Sequence, residues 1–233
     1  MEDSEPPLIY KELRAKWNAA VQEACFALGY RGSPSSVRLL EKFSHTRLRK
    51  ANRYIVSGIS GSGKTTFGKL LEYMSFRKLP TAVVRSPRPG EIQGLDYIFL
   101  DEYTFERWRD RNMFSFYHKT NGVSHGFLRS HLRDLKGQSG RFYLDKSIRS
   151  VSWLFPRIRE RCTLIYLLPP TFDELYFRIK KRERLRQHAG LADEEIVGRF
   201  REEIEEFRQS VSLPYAYFVN DDIKTLLNLM SCV

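Results

Sequence analysis

Residues 54–67 read YIVSGISGSGKTTF, and this stretch carries most of the information about the fold. An apolar run typical of a strand leads into residues 58–65, which match the pattern G-x-x-x-x-G-K-[ST], and a helical pattern follows directly. In this context the glycines let the loop curl so that backbone N–H groups point at phosphate oxygens, with the positive end of the helix behind them. A ligand-free Gly/Ser-rich turn is the alternative, but the flanking strand and helix favour a nucleotide-binding phosphate loop.

The loop supplies the chemical groups that phosphoryl transfer needs. Lys64 is expected to reach the β and γ phosphates as a catalytic group, and the Thr65 hydroxyl can bind Mg²⁺. The predicted ATP-binding residues are Gly58, Ser60, Gly61, Ser62, Gly63, Lys64, Thr65 and Thr66. The chain has no N-K-x-D tetrapeptide of the kind that specifies guanine, so ATP is the expected phosphoryl donor.

On both sides of the loop, short apolar runs alternate with helical patterns. The runs are RYIVS at 53–57, TAVVR at 81–85, RFYLD at 141–145, TLIYLL at 163–168 and AYFV at 216–219. This alternation predicts an α/β fold in which a mainly parallel sheet carries helices on both faces.

The amino-terminal part has a different pattern. Residues 8–29 have the spacing of an amphipathic helix that ends at Gly29, and a short helix then leads into the basic stretch 45–53. We therefore predict a helical extension over residues 1–52 and a main domain over residues 53–233. The apolar face of the first helix must pack on that domain or on a partner, and the sequence does not indicate the oligomeric state.

Composition narrows the class of protein. The 233 residues are 42% hydrophobic, enough for a real core, and the net charge of +11 favours partners that carry phosphate or other negative charge. Three widely spaced cysteines fit reduced thiols rather than a disulfide framework. No apolar run approaches the length of a membrane span, so we expect a soluble, cytoplasmic protein without a membrane partner.

A second phosphate-binding segment is predicted at residues 85–97, RSPRPGEIQGLDY. Arg85 and Arg88 each offer a planar fork of donors, the neighbouring prolines stiffen the segment, and Tyr97 adds a hydroxyl donor. By itself this composition fits a solvated basic loop equally well. Combined with the phosphate loop, it indicates transfer between two bound phosphorylated molecules.

These two motifs together resemble the guanylate kinase family, whose second motif has the form T-T-R-x-P-R-x-G-E-x-x-G-x-D-Y. The likeness extends from about Arg53 to Met230. It implies a P-loop kinase fold with a mainly parallel five-stranded core sheet, a small acceptor-binding subdomain at about 86–127 and a helical lid at about 180–199. It also implies an enzyme that uses ATP and Mg²⁺.

The resemblance further implies roles for single residues. Arg85, Arg88 and Tyr97 match the grip on the acceptor's phosphate, and Arg182 and Arg199 match catalytic arginines of the lid and its flank. Asp145 matches an acid near Mg²⁺, which with Thr65 completes the implied metal ligands.

Three positions depart from the family pattern for guanine recognition. Phe116 replaces the guanine-reading glutamate, Phe127 replaces a base-contacting hydroxyl residue, and Ser147 replaces the second acid of D-x-D. His125 replaces a phosphate-binding tyrosine and is still expected, with Ser147, to contact the acceptor. The two phenylalanines either stack on a different base, wall off a smaller cavity, or belong to the core.

Several functions therefore stay open. The main prediction is an ATP-dependent phosphotransferase that acts on GMP or another nucleoside monophosphate. The alternatives are a kinase of a non-guanine acceptor, such as a sugar phosphate like ribose 1,5-bisphosphate, and a kinase of a nucleic-acid group, which the basic segments 45–53 and 178–186 suggest but do not favour. A phospho-ligand-binding module without catalysis is the remaining alternative, although it would not need an intact donor loop.

Overall fold

The computed structural model describes residues 8–33, 35–120, 122–158, 161–185 and 193–232, without the side chains of 182–185, 193–196 and 199. In chain order the helices and strands are α1 Leu8–Ala27, α2 Val37–Ser44, β1 Arg53–Gly58, α3 Lys64–Tyr73, β2 Arg77–Lys78, β3 Thr81–Val84, β4 Tyr97–Leu100, α4 Glu102–Asp110, β5 Phe114–Thr120, β6 Val123–Leu128, α5 Arg129–Lys136, β7 Phe142–Asp145, α6 Ile148–Ile158, β8 Thr163–Leu168, α7 Phe172–Leu185, α8 Asp193–Ser210, β9 Ala216–Val219 and α9 Ile223–Ser231. Within the described ranges, each helix is too short or too polar to cross a bilayer.

The core is a five-stranded parallel sheet in the order β2-β7-β1-β8-β9. Its central strands are almost continuously apolar because helices cover both faces, and β8 is buried at every position. One apolar cluster packs against α1, α6, α7 and α8, and a second packs against α3 and α9. The predicted α/β class and parallel core sheet are confirmed.

A second, four-stranded sheet has the order β4-β3-β6-β5. β3 pairs with β4 in parallel and with β6 antiparallel, and β5 and β6 form a hairpin. The TAVVR run therefore belongs to this sheet, and the fifth strand of the core sheet is the two-residue β2 instead. This sheet and its loops form the small subdomain expected beside the core.

The amino-terminal helix α1 packs on the main domain. Trp17 is 3% exposed, and its ring lies 5.2 Å from that of Phe207 in α8. Tyr10 at the start of α1 reaches the aromatic rings of Phe172 and Tyr176 in α7. The buried face of α1 is thus continuous with the main core, while the boundary at residue 52 stays a prediction.

Candidate functional site

The phosphate loop follows β1, which lies between β7 and β8 at the centre of the core sheet. Two glycines are required by its shape. Gly58 has φ +146°, and a Cβ there would lie 2.4 Å from the backbone oxygen of Leu167; Gly63 has φ +98°, and a Cβ there would lie 2.2 Å from Nδ2 of Asn220. Any side chain at either position would clash, so the loop has the curled form that the motif predicts.

Neighbouring groups hold the loop in this form. The Asn220 side chain donates from Nδ2 to the Ser62 backbone oxygen at 2.8 Å, and its own N–H donates to Leu168 O at 2.8 Å. Lys64, the first residue of α3, donates from Nζ to the carbonyl oxygens of Gly58 at 2.6 Å and Ile59 at 3.1 Å. Asn220, which the sequence identified only as the start of the closing NDD, therefore supports the phosphate loop directly.

Two carboxylates of α8 were missed by sequence reasoning; one contacts the loop and the other contacts the first residue of α6. The Ser60 N–H donates to Glu203 Oε2 at 2.8 Å, so an anion already lies on one of the donors predicted to bind phosphate. Glu206 accepts the Ile148 N–H, and burial, followed by the charge of Glu203, raises its pKa. Their spacing of three residues puts them on one helix face, which was the available signal.

Thr65 and Asp145 are the candidate Mg²⁺ ligands. Thr65 is exposed in the first turn of α3, and Asp145 ends β7 opposite Val56, two residues before the loop. Both oxygens thus lie at the carboxyl edge of the sheet, next to the place where phosphates would bind. A hydroxyl and one carboxylate suit Mg²⁺, which takes its other ligands from water and substrate phosphates.

The acceptor segment forms a rigid ion pair. Arg85 donates from Nη1 and Nη2 to the two carboxylate oxygens of Glu91 at 2.6 and 2.9 Å. Burial alone would raise the pKa of Glu91, but the hydrogen bonds from Arg85 and from the Arg88 backbone N–H outweigh it and lower that pKa. The Arg85 guanidinium also lies 5.0 Å from the ring centroid of Tyr97, so this pair fixes its position.

Tyr97 connects this segment to the core sheet. Burial raises its pKa, and the charge of Asp145 adds to the rise, so the hydroxyl stays protonated and can donate near neutral pH. The residue after Asp145, Lys146, is 8% exposed, and its ammonium group donates to the Thr81 hydroxyl on β3. The predicted acceptor segment and the phosphate loop therefore adjoin through Asp145 and Lys146.

The positions that depart from the family pattern lie on β5, on β6 and just before α6. Phe127 is 4% exposed and belongs to the core, while Phe116 stacks on Trp153 of α6 at 4.8 Å and 20°. The imidazole of His125 stacks on His118 at 5.3 Å. Ser147 is exposed and directly precedes α6, where its hydroxyl lies 3.3 Å from that of Ser150.

The predicted lid arginines lie outside the described side chains. Arg182 falls in α7 and Arg199 in α8, and residues 186–192 between these helices are outside the described residues. Their catalytic roles stay predictions, as do the assigned roles of the other site residues.

Comparison with known proteins identifies the family. Residues 50–229 match the guanylate kinase family model. The chain is 32% identical over 179 residues to the guanylate kinase of Aster yellows witches'-broom phytoplasma, covering 75% of this chain and 81% of that protein. It is 30% identical over 187 residues to the guanylate kinase of Geobacter sulfurreducens, covering 79% and 88% respectively.

A solved structure supports the fold. The crystal structure of guanylate kinase from Anaplasma phagocytophilum superposes with a TM-score of 0.58 at 22% identity, covering 79% of this chain and 85% of that one. The P-loop kinase fold and the family resemblance predicted from the two motifs are thereby confirmed. The chain belongs to the guanylate kinase family of phosphotransferase enzymes.

Proposed function

We propose that this enzyme transfers the γ-phosphoryl group of ATP to the phosphate of a small phosphorylated acceptor. The observation that carries the proposal is the position of Asp145. It pairs with Val56 just before the phosphate loop, and the residue after it, Lys146, donates to Thr81, which pairs with Tyr97 of the acceptor segment. The donor site and the arginine-bearing segment are thus neighbours at the end of β7.

The reaction is an in-line displacement. A nonbridging oxygen of the acceptor phosphate forms a bond to the γ-phosphorus, and the bond between that phosphorus and the β–γ bridging oxygen breaks. ADP leaves with the bridging oxygen, and the acceptor becomes a diphosphate. No general base is required because the attacking phosphate oxygen is already an anion.

The residues of the chain align the reactants and neutralise charge. Backbone N–H groups of the loop hold the β and γ phosphates, Lys64 moves from its carbonyl partners to the phosphates, and Arg85 with Tyr97 holds the acceptor phosphate. Arg88 and the lid residues Arg182 and Arg199 are proposed to add positive charge. Mg²⁺ at Thr65 and Asp145 would supply further charge neutralisation when bound.

The names of the relatives support the family, but they do not identify the acceptor of this enzyme. A guanylate kinase phosphorylates GMP, whose base edge has N–H groups that can donate hydrogen bonds to a carboxylate. Phe116 and Phe127 offer no such acceptor at the matching positions, and one stacks on Trp153 while the other is buried. A site without its polar partners loses discrimination on the order of 10⁴-fold, so we propose an acceptor other than GMP.

The nucleic-acid alternative loses part of its support. Arg53 is 5% exposed and donates to the backbone oxygens of Gly137 and Ser139, so it is not free for phosphate groups outside. Arg178 pairs with Glu174 and also donates to the Asn220 backbone oxygen. Two members of the basic segments thus have structural roles.

The three cysteines are free, as predicted for reduced thiols, and cytoplasmic localisation remains a proposal.

The direct test is phosphoryl transfer from Mg·ATP to a panel of nucleoside monophosphates, sugar phosphates and oligonucleotides. Wild-type protein should phosphorylate at least one small acceptor. Lys64→Ala should reduce the rate by about 10³-fold or more, because it removes a charge that acts on the transferring group. A Lys69→Ala variant, which changes an exposed lysine of the same helix, is the matched control. Full activity in Lys64→Ala would refute the proposed reaction.

A further inference from the structure

The amino-terminal helix α1 packs along α8, the helix that carries Glu203. The apolar faces of both helices are buried in one cluster, in which the ring of Trp17 on α1 lies 5.2 Å from that of Phe207 on α8. The family model matches residues 50–229, so α1 lies outside the segment that the chain shares with guanylate kinases. An element from outside the shared segment thus contacts the helix that reaches the phosphate loop.

Two ion pairs connect α1 to α8 beside this apolar contact. Arg201 donates from Nη2 to Glu12 Oε1 at 3.0 Å. Two turns later on α8, Nε of Arg208 lies 3.0 Å from Glu23 Oε2. Both pairs are partly exposed. Because they hold α8 at two points along its length, they resist rotation of this helix about its axis.

Helix geometry puts Glu203 on the face of α8 opposite these pairs. Arg201 and Arg208 are two turns apart and share one face. Glu203 and Glu206 lie roughly 180° around the helix axis from that face, at 3.6 residues per turn. This second face contacts the phosphate loop at the Ser60 N–H and also contacts the first residue of α6. α8 is therefore held from two sides, by α1 on one and by the loop and α6 on the other.

This arrangement connects α1 to the state of the phosphate loop. ATP needs the Ser60 N–H for a phosphate oxygen, so Glu203 must leave that group when ATP binds. A rotation of α8 that takes Glu203 off Ser60 carries the two arginines of the opposite face away from their partners on α1. The ion pairs therefore stabilise the blocked loop, and the apparent affinity for ATP decreases with the fraction of molecules whose loop is open.

We propose that α1 is an inhibitory element of the donor site: through its ion pairs with α8 it holds Glu203 on the Ser60 N–H and weakens ATP binding. This inference rests on the proposed function and specifies how its donor site is regulated. The effect requires no contact between α1 and ATP, because the position of α8 determines whether Ser60 can donate to a phosphate. Loss of the ion pairs should therefore strengthen ATP binding, whereas loss of a contact that only supports the fold would weaken it or leave it unchanged.

Isothermal titration calorimetry of the full-length protein with Mg·ATP tests the sign of this effect. Glu12→Gln combined with Glu23→Gln removes both ion pairs and keeps the apolar contact. The Kd for ATP should fall about 2- to 5-fold, the range for two partly exposed ion pairs. Glu106→Gln combined with Asp134→Asn is the matched control, because it also removes two paired carboxylates and changes the net charge equally, but on α4 and α5. The control should leave the Kd unchanged.

A second comparison shows whether α1 acts through Glu203. Glu203→Ala removes the carboxylate and leaves the Ser60 N–H open, so the two α1 substitutions should then change the Kd for ATP by less than about 1.5-fold. A general effect of α1 on the fold would be the same with and without Glu203→Ala. An unchanged or raised Kd after Glu12→Gln with Glu23→Gln would overturn the inference, and so would an equal decrease in the Glu203→Ala background.

The same titrations separate this inference from the proposed reaction. A Kd that falls as predicted, without transfer to any acceptor of the panel, would support the inhibitory role of α1 and overturn the proposed reaction. Transfer by the wild-type protein, with a Kd that the α1 substitutions leave unchanged, would support the reaction and overturn the inhibitory role.

Discussion

Replacing Glu203 by glutamine should strengthen ATP binding. In this structure the carboxylate accepts the Ser60 N–H at 2.8 Å, while Lys64 is engaged by the carbonyl oxygens of Gly58 and Ile59. ATP needs the same N–H group and the same ammonium for its phosphates. The Glu203 carboxylate therefore competes with the ligand, and the binding-competent loop is the fraction of molecules from which it has withdrawn.

The magnitude follows from the chemistry of this hydrogen bond. A hydrogen bond to a charged group contributes about 1.5–3 kcal/mol, and a bond between neutral groups contributes about 0.5–1.5 kcal/mol. Glutamine keeps the shape and an acceptor oxygen but loses the charge, so the competing contact weakens by about 1 kcal/mol. Ser60 and Glu203 are only half-buried, and solvent screening limits the gain to roughly that value. We expect the Kd for ATP to fall about 5- to 10-fold.

Isothermal titration calorimetry with Mg·ATP measures this change. Glu205→Gln is the matched control, because it removes a carboxylate from the same helix that pairs with Arg208 instead of the loop. The control should leave the Kd for ATP unchanged. Unchanged or weaker binding by Glu203→Gln would refute the reasoning, since Glu203 would then either leave the loop at no cost or act on bound ATP.

Three further predictions concern the supports of the two phosphate sites. Asn220→Ala removes the bond to the Ser62 carbonyl and should lower the free energy of unfolding by about 1–2 kcal/mol, seen as a loss of several degrees in Tm by calorimetry; an unchanged Tm would contradict this. Arg85→Lys should raise KM for the acceptor about 10- to 100-fold in steady-state assays, because an ammonium cannot keep both hydrogen bonds to Glu91 and also bind a phosphate. An unchanged KM would argue against the acceptor role. Burial lowers the pKa of Lys146 in the folded protein to about 7, while in the unfolded chain the lysine keeps its proton until about pH 10, so wild-type stability should rise between these pH values. Lys146→Met should abolish this rise and should raise Tm near pH 7. Parallel curves of Tm against pH for the two proteins would exclude this burial cost.

Local patterns predicted the parts of the fold that depend on neighbouring residues. The phosphate loop, its strand and its helix follow from glycine spacing and hydrophobic runs, which act within a few residues. The pairing of TAVVR with the second sheet was not predicted, because a short apolar strand does not disclose its partners. The two-residue β2 carries no pattern of its own, so the outer strand of the core sheet was also missed.

In the candidate site too, local motifs were predicted from the sequence and contacts between distant residues were not. The segment of Arg85 and Tyr97 was singled out from its motif, and the structure brings it close to the end of β7, because Lys146 contacts Thr81 and Thr81 pairs with Tyr97. The spacing of Glu203 and Glu206 indicates one acidic face of α8, but it does not show that this face contacts Ser60, which lies 143 positions away in the sequence. Lys146 stands between two residues of a motif expected to hold acids, and only the contact of its ammonium with the Thr81 hydroxyl on β3 shows that it is buried between the two sheets' residues.

Transfer from phosphate to phosphate is the central claim, and ³¹P NMR of the reaction mixture measures it directly. Full-length protein is incubated with Mg·ATP and each acceptor of the panel, and products are followed over time. The account predicts ADP together with a new acceptor diphosphate, whose two coupled phosphorus signals grow at equal rates and are absent with Lys64→Ala. Formation of ADP with inorganic phosphate alone, for every acceptor tested, would contradict it.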